Sequence, residues 1–228
     1  MCVPDHHGLV SHFRPRPVSS IPSSLDHLIF AGPDLDAAVA WVENTTGAKV
    51  HPGGRHPDWG TRNAILPLGP TTYLEIMGPD PDRPAGTRPR LFDLDALPGP
   101  LLAAWAAKGE DLVQLTARAR DAGIDLGAAM PGQRLRPDGT ALTWVLTDPT
   151  TPRAGGIIPF FIDWPDGSHP GAVAPAAVRL LDFHAEHPDP DHLGARVRAL
   201  GVELDVRWGP TPALSATLQT PRGILTLV

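Results

Sequence analysis

Residues 34–47 read DLDAAVAWVENTTG. An aspartate opens the stretch where it can cap a helix, apolar residues follow at helical spacing, and a glycine closes it at the position that favours left-handed backbone. Two further stretches share this build, EDLVQLTARARDAG at 110–123 and DPDHLGARVRALG at 189–201. Their closing glycines, Gly47, Gly123 and Gly201, lie 76 and 78 residues apart, so the chain is periodic. The flanks repeat as well. SLDHLIFAG precedes the first helix, and AKVHPG, TRNAILPLG and TTYLEIMG follow it as strands, by their alternation and turn-forming ends. LLAAWAAKG, QRLRPDGTALTWVLTD with its PDG hairpin signal, and GIIPFFIDW surround the second. AVRLLDFHAEH, VELDVRW, ALSATLQT and GILTLV surround the third. The expected fold class is therefore α+β with repeated βαβββ units at 24–80 and 100–170 and a compressed third at 171–228. A leader at 1–23, rich in Pro, Ser and His, is expected to be disordered. The segment 81–99 is expected to be a loop-like linker.

Composition narrows the function classes. With 228 residues, 42% of them hydrophobic, the chain can bury a sizeable core. Its 28 prolines argue against long helices. A formal net charge of −6, with the basic residues scattered, gives nothing to hold a phosphate backbone, so nucleic acid is not an expected partner. The single cysteine excludes an internal disulfide and a cysteine-based zinc cage. No apolar run approaches the roughly 20 residues that span a bilayer and the leader lacks the apolar core of a secretion signal, so no membrane partner and a cytoplasmic location are expected. There is no glycine-rich phosphate loop before a helix, no GxSxG elbow and no HExxH pair.

The repeated unit that opens with LDHLIFAGPDLDAAVAWVENTTGAKV and closes with YLEIMG resembles the vicinal oxygen chelate superfamily, which includes glyoxalase I, extradiol dioxygenases, fosfomycin-resistance transferases and bleomycin-binding proteins. GGRHPDWGTRN (53–63) together with PFFIDWPDGSHP (159–170) is similar to the glyoxalase-like domain proteins of that superfamily. The resemblance covers residues 24–170 and, more weakly, the third unit. It implies that two units pair into one curved, cup-like sheet with helices outside. It also implies that a divalent metal (Zn, Fe, Mn, Ni or Co) can sit inside, held from the first and fourth strands. Those positions fall on His27 and Glu75 in the first unit, where strand alternation places Leu25, His27 and Ile29 on one face. In the second unit the same alignment lands on Ala104 and Phe161, which cannot bind a metal. In the third it lands on Asp182 or His184 and on Thr226.

GGRHPDWGTRN is too polar for core. Placed as a loop between the second and third strands, it brings His56 near the cup as a third ligand or general base, beside Glu75. Arg55 or Arg62 can take a carboxylate or phosphate, while Thr61 and Asn63 lead into the third strand, with Asn63 able to fix an amide or hydroxyl. The competing reading is a loop whose polar side chains tie down its own backbone. Trp105 and Phe161 are read as pocket wall or core, His169 as part of a loop over the pocket, and Asp163 as a carboxylate able to orient a histidine. Three function classes remain. One is a metal-dependent lyase, isomerase or oxygenase acting on a small oxygen-rich metabolite, and another is a metal-free small-molecule binding or resistance protein. The last is a protein whose cup is closed by a homodimer partner.

Overall fold

The computed structural model describes residues 21–82, 91–135 and 139–228. The leader's first 20 residues, the middle of the linker and most of the PDG signal lie outside these. The first unit comprises β1 (Leu25–Ala31), α1 (Leu35–Thr46), β2 (His51–His56), β3 (Thr61–Gly69) and β4 (Thr72–Pro79). The second comprises β5 (Leu101–Lys108), α2 (Leu112–Asp121), β6 (Ala129–Leu135), β7 (Ala141–Thr147) and β8 (Phe160–Asp163). Then come β9 (Arg179–His187), α3 (Pro190–Ala199), β10 (Asp205–Trp208), β11 (Ala213–Thr220) and β12 (Gly223–Leu227). Each helix starts on an aspartate whose side chain accepts a backbone N–H: Asp34 from Ala37, Asp111 from Gln114 and Asp189 from His192. Gly47, Gly123 and Gly201 stop them with φ of 72°, 72° and 77°, backbone that only glycine adopts without strain.

The first two units close into one eight-stranded barrel in the order β1-β4-β3-β2-β6-β7-β8-β5. Within each half the first strand runs parallel to the fourth, β1 with β4 and β5 with β8. The halves join where β1 runs antiparallel to β5 and where Arg55 of β2 pairs Leu135 of β6. The cup expected from the sequence is thus a nearly closed barrel. Side chains split by strand alternation into two apolar clusters. An outer one, with Leu28, Phe30, Leu74 and Trp105, packs the strands against the helices and the last sheet. The inner one, with Ile29, Met77, Ala104, Trp144, Phe160 and Ile162, lines the barrel.

The last unit keeps the element order but not the pairing. Its sheet runs β10-β9-β11-β12, because β10 returns alongside β9 directly after α3 and takes the edge that β4 takes on β1. β12 then hairpins onto β11 and stays at the margin. Buried Phe183 of β9 meets Trp105 edge-on at 5.3 Å, which seats this sheet on the barrel's outer surface.

GGRHPDWGTRN is not a loop. Its first four residues complete β2, a tight turn occupies Pro57–Gly60, and β3 begins at Thr61, with Arg55 opposite Arg62 and His56 opposite Thr61. Glycines 53 and 54 kept the strand from announcing itself, since glycine contributes no strand propensity and here accompanies a register shift between Pro52 and Gly54. The end of the linker is also ordered. Leu91–Ala96 forms two short helical turns joined by a kink, with Phe92 and Asp93 in left-handed backbone, and buries Leu91 and Leu94.

Candidate functional site

The site is built on a β-bulge. The pairing of β1 with β5 slips between Leu25 and His27, leaving Asp26 as the extra residue. In a regular strand, neighbours point to opposite faces. The bulge instead brings Asp26 and His27 together, with His27 Nδ1 2.7 Å from Asp26 Oδ1. It also moves Leu25 into the outer cluster, so Leu25 does not share the face of His27 and Ile29 as alternation alone predicts.

Asp26 is fully buried and held from two sides. Its other oxygen is 3.1 Å from Trp164 Nε1 and 3.2 Å from His169 Nε2. Burial alone pushes this carboxyl up, but the hydrogen bonds from His169 and His27 outweigh it and hold the pKa far below the usual carboxylate range. Asp26 is therefore an anion that only accepts. His169 must present its proton on Nε2, because its Nδ1 accepts the Gly171 N–H at 3.0 Å. By the same logic His27 donates from Nδ1 and turns Nε2 inward.

Facing that nitrogen is Glu75 of β4, with Oε2 at 3.4 Å. Its Oε1 takes the Asn63 amide N–H at 2.5 Å, while Asn63 Oδ1 accepts the Gly54 N–H at 2.8 Å. That seat requires glycine at 53, where a Cβ would lie 2.0 Å from Asn63 Oδ1. Tyr73, the cross-strand partner of His27, stacks on its ring at 4.6 Å, and burial, then Glu75 and Asp26, push its phenol well up. His56 closes one side, with Nδ1 3.0 Å from Thr61 Oγ1. Burial lowers its pKa, opposed by Glu75 and reinforced by Arg134 and His27, so its neutral form is favoured. Arg134 of β6, also buried, bonds the Gly53 carbonyl. Together with Trp144, Phe160 and Ile162 these groups enclose a cavity of about 60 Å³, room for a few water-sized groups.

The cavity brings together His27, Glu75, His56 and Asn63, with Thr61 behind His56. His169 joins through Asp26. The other residues singled out in the sequence stand elsewhere. Arg55 spans Asp80 and Asp82 on the surface, and Arg62 pairs Asp36 outside the barrel. Trp105 points outward and donates to the Ile157 carbonyl, and Phe161 lies in the outer cluster. Phe160 and Ile162 face inward instead, so the alignment that placed Phe161 opposite Glu75 was one residue out, a slip that exchanges faces. The carboxylate that orients a histidine is Asp26 rather than Asp163, which ends β8 opposite Val145. Asp26 could have been noticed as the acid next to His27. Arg134, in a proline-rich run of the second unit, carries no comparable signal.

The donor set fits a divalent ion in part. Two ligands about 2.1 Å from a tetrahedral ion lie roughly 3.4 Å apart, the separation of His27 Nε2 and Glu75 Oε2. A carboxylate behind a histidine, as Asp26 stands behind His27, is the usual support of a metal ligand. Among the described residues, however, no group of three or more His, Cys, Asp or Glu side chains is placed to hold one.

A barrel of two such units, with a polar first- and fourth-strand pair, His27 and Glu75, facing inward from one of them, is the architecture of the vicinal oxygen chelate superfamily. The sequence signature of the glyoxalase-like domain matches residues 25–201, and the chain belongs to that family. A hypothetical protein from Staphylococcus aureus shares the fold at a TM-score of 0.66 and 12% identity, over 90% of this chain and 98% of that one. Methylmalonyl-CoA epimerase from Mycobacterium tuberculosis aligns at 22% identity and a TM-score of 0.41, over 66% and 92% of the two chains. A methylmalonyl-CoA epimerase in complex with methylmalonyl-CoA and NH4+ aligns at 20% identity and a TM-score of 0.42, over 64% and 98%. None of the curated proteins matches. Among the described residues no helix is long and apolar enough to cross a membrane.

Proposed function

We propose that the chain is an enzyme that moves a proton on a small oxygen-rich metabolite whose head group enters the barrel beside His27 and Glu75. One observation carries this. A histidine lone pair and a carboxylate oxygen, both buried, face each other at 3.4 Å across the cavity wall, and the outer atom of each is already occupied, by Asp26 and by Asn63. Two acceptors so placed repel unless a positive charge lies between them. A proton shared by the pair satisfies it, and the pair then exchanges that proton with a bound carbon or oxygen acid. Asn63 fixes the Glu75 carboxylate, and Asp26 holds the His27 ring. Arg134 supplies positive charge at the cavity wall, and the apolar side chains of Trp144, Phe160 and Ile162 exclude water.

The same separation favours a second reading, in which His27 and Glu75 hold a divalent ion that would polarise a substrate carbonyl. Catalysis is tested by deuterium exchange from solvent into small carbonyl and carboxylate compounds, followed by NMR with wild type, Glu75→Gln and His27→Ala. Exchange that depends on both residues is expected, and exchange indifferent to both would sink the proposal. Metal analysis of untagged protein separates the readings. Stoichiometric metal lost in both His27→Ala and Glu75→Ala selects the ion, and activity in metal-free protein selects the shared proton.

A further inference from the structure

Beyond the small cavity lies a groove of about 1160 Å³. The two share His56, Trp59, Leu91, Phe92, Trp144 and Pro149, so the groove and the inner cavity adjoin across these residues. The groove reaches the last sheet, where Pro212, Ala213, Leu214 and the terminal Val228 line it. Its floor is β5, with Leu101, Leu102 and Ala103. Two glycines keep the opposite wall close: a Cβ on Gly156 would lie 2.2 Å from the Ala103 carbonyl oxygen, and one on Gly155 would lie 2.5 Å from Pro212 Cβ.

The charges along the groove suggest what it takes. Among the described lining residues the acids are Asp58, Asp93 and Asp148, and the cation is Arg153. That guanidinium is buried and bonded to the carbonyls of Asp148, Pro149 and Pro159. Polyanions are therefore poorly served, and the stretch formed by Leu97, Leu101, Leu102, Ala103, Leu214 and Val228 suits hydrocarbon.

We infer that the substrate is a two-part molecule, with a small carbonyl or carboxyl head in the barrel and an uncharged, largely aliphatic tail along this groove, selected by the last sheet. This rests on the His27–Glu75 reading for the head. The 60 Å³ cavity is too small for more than a head group, so the remainder of any larger ligand must lie outside it, and the groove adjoins it across the six shared residues. The inference gives a role in substrate selection to the unit whose strand pairing departs from the other two.

The test is calorimetric titration of straight-chain 2-oxo acids from four to twelve carbons into the full chain. Affinity should rise up to about fourfold per methylene until the groove is filled. Ala213→Trp, which fills the groove at the last sheet, should flatten that rise and leave the shortest acids unaffected. Val228→Asp, a change at an exposed terminal side chain, should weaken only the longest acids and guards against a folding defect in the first variant. Affinity independent of length but altered in Glu75→Gln or His27→Ala overturns the groove and leaves the head site standing. Length-dependent binding unchanged in Glu75→Gln and His27→Ala overturns the head site instead. Failure of every acid to bind overturns the two-part substrate. Tighter binding of decanoyl-CoA than of any 2-oxo acid overturns the uncharged tail.

Discussion

Both halves of the barrel use one backbone device to different ends. In the first half Gly53 on β2 clears space for Asn63 of β3, and an added Cβ would lie 2.0 Å from its Oδ1. In the second half Gly132 on β6 clears space for Trp144 of β7, with 2.2 Å to Nε1. One glycine seats an amide that grips a carboxylate, and the other seats an indole that walls the cavity. The inward positions follow suit, with His27, Glu75 and Asn63 on one side and Ala104, Phe160 and Ile162 on the other. The repeated unit supplies the enclosure, and the His27–Glu75 pair lies in one half of it.

The largest expected effects break the polar half. Glu75→Gln keeps the shape and the Asn63 contact but removes the charge, and should lower turnover in the exchange assay by at least about a hundredfold. Phe160→Leu in the other half should cost less than about tenfold and act mainly on KM, since it alters only the wall. Equal losses in kcat from both variants would show that the halves do not divide the work.

Next in size are the two glycines. Gly53→Ala and Gly132→Ala should each destabilise the fold by about 1–3 kcal/mol, the usual cost of overpacking, measured by urea denaturation. They should differ in their rescue. Asn63→Ala removes the two side-chain contacts and leaves only the residue 63 carbonyl oxygen, at 2.8 Å, so the double variant Gly53→Ala, Asn63→Ala should be more stable than the sum of the single effects predicts. Additivity would mean that the Gly53 clash is relieved by movement of backbone rather than of Asn63.

What the sequence made legible follows the same division. The helices were readable because capping aspartates and left-handed glycines act within a few residues, and Asp34, Asp111, Asp189, Gly47, Gly123 and Gly201 all occupy those roles. His27 and Glu75 were readable through likeness to a family. The strand order β10-β9-β11-β12 was not, because element order does not determine which edge a strand takes. Arg55 and Arg62 misled for a related reason: residues opposite each other on β2 and β3 share a face, and their partners Asp80, Asp82 and Asp36 belong to other segments of chain. The bulge at Asp26 requires knowing the register against β5, which no local pattern carries.

The smallest expected effect lies at the seam, where His56 of the first half meets Trp144 of the second edge-on at 6.0 Å. Burial lowers the His56 pKa, with Glu75 opposing and Arg134 and His27 adding to the shift. Above its ordinary value near 6.5, the residue is neutral in both folded and unfolded chains and costs nothing. Below that value the unfolded chain binds a proton that the folded chain resists, so stability is lost as pH falls. Wild type should therefore lose more melting temperature between pH 7.5 and 5.5 than His56→Gln, which carries no titrating group there. The comparison cancels the other histidines, which both proteins retain. Parallel pH profiles would mean that His56 accepts its proton as readily inside the barrel as in water, so that the apolar second half does not shield it.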